Sequence, residues 1–320
     1  MKTEIIKSLR LLLPLTLLVL LIFSAGKAKE CCMDALRLCS RTIVPSLFPF
    51  FVLSSFLTKL GLPQILGRIL SLFASRIYGI SPAGASALIM GFVGGYPAGA
   101  AYIAQLEKEE LVTTEEGERL IAFCNNSGPA FIIGVMGSAV FGSVKLGLKL
   151  YCVHIFSALI TGIIFRKKSQ AWSIRPHKLD ETDTAEALVD SVKQAVTSIL
   201  NVCGFVVCFY MLIALLDTAG LVSSVCSGIS SLSGMEAEFI KAAFIGLLEL
   251  GTGAAAMQSM QPAALNLALA AAMLSWGGLS VHFQTKAVLT ESKIKGTLHL
   301  TGRLSSAIIA FITMYLLSLF

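Results

Sequence analysis

Two apolar stretches of this chain are broken in the middle, and the pair of breaks occurs twice. Gly91-Phe-Val-Gly-Gly-Tyr-Pro-Ala-Gly-Ala100 is followed by Phe123-Cys-Asn-Asn-Ser-Gly-Pro-Ala-Phe131. In the second half, Glu249-Leu-Gly-Thr-Gly253 is followed by Ser275-Trp-Gly-Gly-Leu-Ser-Val-His-Phe-Gln284. The offsets between halves are 155 residues (Gly91 to Gly246) and 151 residues (Cys124 to Ser275). Lipid offers no hydrogen bonds to an open backbone, so a break at membrane depth must be buried in protein or line a wet cavity. Interrupted apolar segments at matching places in two halves point to a transporter binding site.

The 320 residues are 55% hydrophobic and 14% charged, with mean hydropathy +0.80. Soluble domains carry about 25% charged residues, so the chain reads as a polytopic membrane protein whose first partner is the lipid bilayer. The net charge of +6 belongs to cytoplasmic loops. No basic run is interleaved with aromatics, so nucleic acid is not expected as a partner. None of the eight cysteines forms Cys-x-x-Cys or stands at zinc-ligand spacing from a histidine, and no metal or cofactor is expected. Hydrolase, nucleotide-binding and metalloprotease motifs do not occur, so the chain is not read as an enzyme.

Uncharged runs cover residues 11–26, 42–58, 77–106, 120–144, 150–165, 194–216, 250–285 and 304–320. The run 77–106 is dense in Gly and Pro and reads as a helical hairpin that enters and returns on one side. The run 250–285 exceeds the ~20 residues of one span, and Gln258-Ser-Met-Gln-Pro262 divides it. Each half is then one span, one re-entrant hairpin, one broken span and one final span. The expected fold is an all-α polytopic inverted repeat with two hairpins and two broken helices. Residues 1–29 read as a first transmembrane helix, a cleaved signal peptide being the alternative. Residues 30–166 form the first repeat, 167–184 a cytoplasmic linker and 185–320 the second repeat. With the N-terminus cytoplasmic and the C-terminus extracytoplasmic, eighteen Lys and Arg fall inside and seven outside, as the positive-inside rule requires. Arg303 is counted among the inner loops. Residues 33–41 and 185–194 mix charge with apolar positions at helical spacing. They read as interfacial helices lying flat, against plain extensions of the next span.

The breaks carry the candidate site. Asn125, Asn126 and Ser127 offer donors and acceptors together, and Gly128-Pro129 frees backbone groups beside them. Tyr96, near a hairpin tip, can stack or hydrogen-bond. Glu249 interrupts an apolar stretch at the place that Gly94 holds in the other half. An ionisable group at that depth costs about 2.5–3.5 kcal/mol and is a functional hypothesis by default. It is the candidate for coupling to a proton or cation, against pairing with Lys241. Ser280, His282 and Gln284 are expected to face the second break, and Trp276 to stack on a planar solute.

At Gly94-Gly-Tyr-Pro-Ala-Gly99, Asn125-Asn-Ser-Gly-Pro129 and Gly277-Gly-Leu-Ser-Val-His282 the chain resembles the sporulation integral membrane protein YlbJ family. The modules of that family belong to the nucleoside-recognition Gate class. The resemblance runs from about residue 30 to the end. It implies a multi-pass inner-membrane protein, the outer forespore membrane included, that moves dipicolinic acid during sporulation, and a plan similar to concentrative nucleoside transporters. Carried onto this chain, it places Gly95, Tyr96, Asn125, Asn126, Ser127, Glu249, Thr252, Gly278, Ser280 and His282 near the solute. The alternatives are a transporter of nucleoside-type solutes and a non-transporting sporulation scaffold or sensor. A homo-oligomer or other sporulation membrane proteins would be further partners. The expected site has no Arg or Lys at its centre, so helix N-termini would supply the donors for an anion. Glu249, if ionised, would repel a dianion, which implies an accompanying proton or cation.

Overall fold

A computed structural model describes residues 2–167 and 183–319, without the side chains of residues 2–10 and 13. Most of the expected linker lies outside the described residues. Fifteen α-helices and two π-helical segments occur among them: α1 (Lys2–Phe23), α2 (Ala25–Leu38), a π segment (Cys39–Ile43), α3 (Val44–Lys59), α4 (Leu62–Tyr78), α5 (Pro82–Gly94), α6 (Ala98–Lys108), α7 (Thr114–Phe123), a π segment (Ala130–Val140), α8 (Val144–Ile164), α9 (Thr184–Thr218), α10 (Leu221–Ser233), α11 (Ala237–Leu248), α12 (Leu250–Ala256), α13 (Ala264–Trp276), α14 (Gly278–Leu289) and α15 (Thr297–Leu317). Five stretches are long and apolar enough to cross a membrane: Ala25–Lys59, Val144–Ile164, Thr184–Thr218, Ala264–Leu289 and Thr297–Leu317.

From α3 onward the same order recurs. A long helical stretch (Ala25–Lys59, which ends in α3, and α9) leads to a shorter helix (α4, α10) bounded by left-handed glycines: Gly61 and Gly79 around α4, Gly220 and Gly234 around α10. A two-armed hairpin follows (α5/α6, α11/α12), then a broken helix (α7 with the second π segment, α13/α14), then a final span (α8, α15). The hairpins and broken helices are thus where the apolar runs were interrupted. Ser81 and Pro82 start the first hairpin, the Ser81 hydroxyl accepting from Gly84 N at 3.0 Å. Thr113 caps α7, accepting from Glu116 N at 3.1 Å, with Glu116 at the capping-box position.

Two expectations are corrected. Residues 33–41 and 185–194 do not lie flat as separate helices. They continue without a break into α3 and α9, so the alternative reading, extension of the following span, holds. A 35-residue helix is about 52 Å long, well beyond a ~30 Å hydrocarbon core, so part of each stands clear of lipid tails. The crosswise helix is α4, which meets α5 at 100°. Its exposed Ile65, Ile69, Leu72 and Phe73 recur at helical spacing, the apolar face of an interfacial helix.

Glycines decide how close the halves of each hairpin come. A Cβ on Gly91 (α5) would lie 1.9 Å from Cys124 O, and one on Gly99 (α6) 2.5 Å from the same oxygen. Both arms of the first hairpin are therefore pressed on the first residue of the first break. In the second hairpin a Cβ on Gly253 would lie 2.5 Å from Gly246 Cα, so the two arms touch backbone to backbone.

Glu118 of α7 ties the first half to the start of α15. Its carboxylate accepts from the N–H groups of Lys295 (2.5 Å), Gly296 (3.1 Å) and Thr297 (2.8 Å) and from Thr297 Oγ1 (2.9 Å). These are orphan donors of a helix N-terminus, where negative charge is favoured. Replacing Glu118 with Ala is expected to cost about 1–2 kcal/mol and to lower the melting midpoint by several degrees, read by thermal unfolding in detergent. Nearby, Lys108 Nζ lies 2.8 Å from Glu291 and holds that carboxyl below the usual carboxylate range.

Candidate functional site

Both hairpins, the first break and α14 meet at one cavity. The tip of the first hairpin brings Gly95 and Tyr96, and the first break brings Ser127 and Pro129. The second hairpin brings Glu249 and Gly251, and α14 brings Gln284. Phe50 and Phe51 of α3, Phe131, and Val202 and Val206 of α9 complete an apolar wall. The space is about 630 Å3, counting the part open to the surroundings.

Local backbone explains the convergence. Gly95 has φ 74°, a left-handed conformation open to glycine, and a Cβ there would lie 2.9 Å from Gly128 N. In the second half Gly278 has φ 82°, and its Cβ would lie 3.0 Å from Leu250 N and 3.2 Å from Glu249 Cα. Each hairpin tip thus rests against the break of the broken helix in its own half. The Tyr96–Pro97 bond is cis.

Glu249 separates α11 from α12 and is 4% exposed. Its Oε1 accepts from Gly251 N at 2.9 Å and its Oε2 from Thr252 N at 2.5 Å. The carboxyl caps α12 and faces the cavity at once. Lys241 is not its partner; that ammonium pairs with Asp217 at 3.3 Å. Ser280 Oγ faces the Glu249 carboxyl without closing a hydrogen bond, and Thr252 Oγ1 is likewise buried and unpartnered. Gln284 is buried in the cavity wall and makes no hydrogen bond to the described residues.

Asn125, Asn126, Thr252, Gly278, Ser280 and His282 stand outside the cavity lining. Asn125 is fully engaged. Ala100 N–H can only donate, so the Asn125 atom facing it at 3.2 Å is the amide oxygen. Its Nδ2 then donates to Thr285 Oγ1 (2.8 Å) and to His299 Nε2 (3.1 Å). His299 accordingly carries its proton on Nδ1 and donates to His282 Nδ1 at 3.0 Å. The proton of His282 is left on Nε2, a buried atom without a partner. Trp276 is not presented to a solute: its Nε1 donates to Leu247 O at 3.0 Å, and its ring packs 4.4 Å from that of His282. Ser127 is tied on both sides, N–H to His154 Nε2 (3.1 Å) and Oγ to Leu274 O (3.2 Å).

Among the described residues no Arg or Lys lines the cavity, as expected, but one stands directly behind its wall. Arg303 is 0% exposed. Its Nη1 donates to Asn126 Oδ1 (2.9 Å) and Tyr96 Oη (3.2 Å), and its Nη2 to Ala122 O (3.1 Å). It is not an inner-loop residue, because α15 begins at Thr297 and carries Arg303 nearly two turns into the span. Gly302 allows the approach: a Cβ there would lie 2.3 Å from Ala122 O. The guanidinium stands one side chain behind the cavity wall, on Tyr96.

The fold defines the class. The chain superposes on CNTnw, a concentrative nucleoside transporter, in an outward-facing state with a TM-score of 0.61. That match has 15% identity and covers 99% of this chain and 86% of that one. Against the same protein in an inward-facing, substrate-bound state the TM-score is 0.52, with 16% identity over 99% and 85%. This is a multi-pass, all-helical membrane protein with the concentrative nucleoside transporter fold. Residues 40–162 match the Gate family, described as nucleoside recognition. The chain is 28% identical over 300 residues to the sporulation integral membrane protein YlbJ of Bacillus subtilis (strain 168), covering 86% of this chain and 74% of that protein. Residues 40–162 thus resemble the Gate family, and the chain is similar to YlbJ over most of its length.

Proposed function

We propose that the protein is a secondary transporter of a small planar solute, dipicolinic acid during sporulation, held in the cavity between residues 30–166 and 185–320 acting as two inverted repeats. The observation that carries this reading is the convergence of Gly95, Tyr96 and Ser127 from one half with Glu249, Gly251 and Gln284 from the other. A rocking motion of such halves would expose that space to each side in turn. The aromatic and valine walls suit a flat ring, and Gln284 offers an unused amide to a ring nitrogen or a carboxyl. Arg303, held behind Tyr96, adds positive potential that favours an anion, while the Glu249 carboxylate opposes a dianion. The two charges together favour a solute that enters with a proton, and Glu249 is the proposed coupling group. Asn125, Asn126, Thr252, Gly278, Ser280 and His282 shape the two breaks from behind the cavity. The N-terminus is proposed to be cytoplasmic and the C-terminus extracytoplasmic, in the inner cell membrane, the outer forespore membrane included.

The fold likeness to CNTnw and the Gate match favour a second reading, a nucleoside-type solute. Binding of labelled dipicolinate and of labelled uridine to purified protein separates the two. Dipicolinate is expected to bind, and Gln284→Leu to weaken it about tenfold, the cost of one buried hydrogen bond. Uridine binding alone would favour the nucleoside reading. Binding of neither by folded protein would favour the scaffold.

A further inference from the structure

Half-helix α7 ends at Phe123 in the interior. The last carbonyls of a helix carry partial negative charge, and in broken-helix transporters such ends hold a coupling cation. Here that position is filled by the chain itself. The Arg303 guanidinium takes the last-turn carbonyl of Ala122, the amide oxygen of Asn126 and the hydroxyl oxygen of Tyr96. A carbonyl, an amide and a hydroxyl are the neutral oxygen donors that a hard monovalent cation takes. No carboxylate lies within salt-bridge distance of Arg303 among the described residues. Such burial of an unpaired charge costs several kcal/mol unless the surroundings are built for it. Gly302 and the hydrogen bonds just named are that provision.

The neighbouring histidines do not share this charge. His154 Nε2 accepts the Ser127 N–H, and His299 Nε2 accepts from Asn125 Nδ2. His282 Nδ1 accepts from His299 Nδ1. Each ring therefore has one nitrogen free of a proton and is neutral as bonded. Arg303 supplies the fixed positive charge of this cluster, and it links four parts of the protein: the first hairpin tip, the end of α7, the first break and α15.

We infer that Arg303 is a tethered cation. It stands where a free monovalent cation would otherwise join the first hairpin tip to the first break, so the protein neither binds nor requires sodium there. For transport this rests on the transporter reading above; for ion binding it does not. The purified full chain is melted in sodium chloride and in choline chloride at equal ionic strength. The wild-type midpoint is expected to be the same in both. Arg303→Ala is expected to melt lower and then to recover by several degrees, saturably, with sodium or with millimolar methylguanidinium, as a ligand bound only to the folded state stabilises it. Arg303→Lys, which keeps the charge, is expected to show no sodium response. A saturable sodium shift in wild type would overturn the inference, as would a folded Arg303→Ala protein that responds to no small cation. If Arg303→Ala fails to fold, the wild-type and Arg303→Lys titrations still decide. Absence of uptake by a protein that melts as predicted would count against the transporter reading and leave the tethered cation standing.

Discussion

Glu249→Gln is expected to fold and to lose at least tenfold of solute uptake. The two roles of Glu249 respond differently to this change. As the cap of α12 it accepts two backbone N–H groups, and a glutamine amide oxygen can still accept one. The loss of the second bond and of the charge at a helix N-terminus costs about 1–2 kcal/mol. That lowers the melting midpoint by a few degrees without unfolding the protein. As the ionisable group of the cavity, Glu249 cannot be replaced by an amide at all, because an amide takes up no proton. A tenfold rate loss corresponds to about 1.4 kcal/mol, a modest demand on a carboxyl that lines the cavity. Thermal melting and uptake measured on one preparation separate the roles. Uptake that falls only in proportion to folded protein would make Glu249 a cap and nothing more.

Gly91→Val is expected to give no folded protein. A Cβ at residue 91 would lie 1.9 Å from Cys124 O and 2.6 Å from Cys124 C. Both are backbone atoms, so no rotamer change relieves the overlap. Overpacking against mobile side chains costs about 1–3 kcal/mol. Here the hairpin arm would have to leave the break, and the cost exceeds that range. Gly204 in α9 is the control, since nothing lies within 4 Å of a Cβ built there, and Gly204→Ala should be neutral. Size-exclusion profiles of the two variants test the pair. A monodisperse Gly91→Val protein with wild-type melting would mean that hairpin and break are not in this contact.

The breaks were legible because lipid and backbone chemistry leave few ways to write them: Gly95, Gly128, Glu249 and Gly277 stand out from apolar surroundings. The lengths of α3 and α9 were less so. Residues 185–194 are amphipathic, but no Gly or Pro separates them from the apolar run that follows. Helical periodicity alone does not distinguish a helix lying flat from one that simply continues. Arg303 was hidden for a different reason. Counting charges assigns every arginine beside an apolar run to the loop that precedes the run. The usable signal was Gly296, left-handed at φ 69°, followed directly by the start of α15. Counting the helix from there puts Arg303 well inside it. The hydrogen bonds that tie Asn125 and Asn126 across the protein were equally out of reach, because three of their partners, Thr285, His299 and Arg303, come from the other half of the chain.

The two halves are proposed to hold one solute in the cavity between them and to pass it across the membrane. Uptake of labelled dipicolinate and of labelled uridine into sealed proteoliposomes, with and without a pH gradient, tests it most directly. Dipicolinate uptake that is accelerated by the gradient, indifferent to sodium and lost in Glu249→Gln is the predicted result. Uptake of neither solute by protein that is folded and inserted would contradict it.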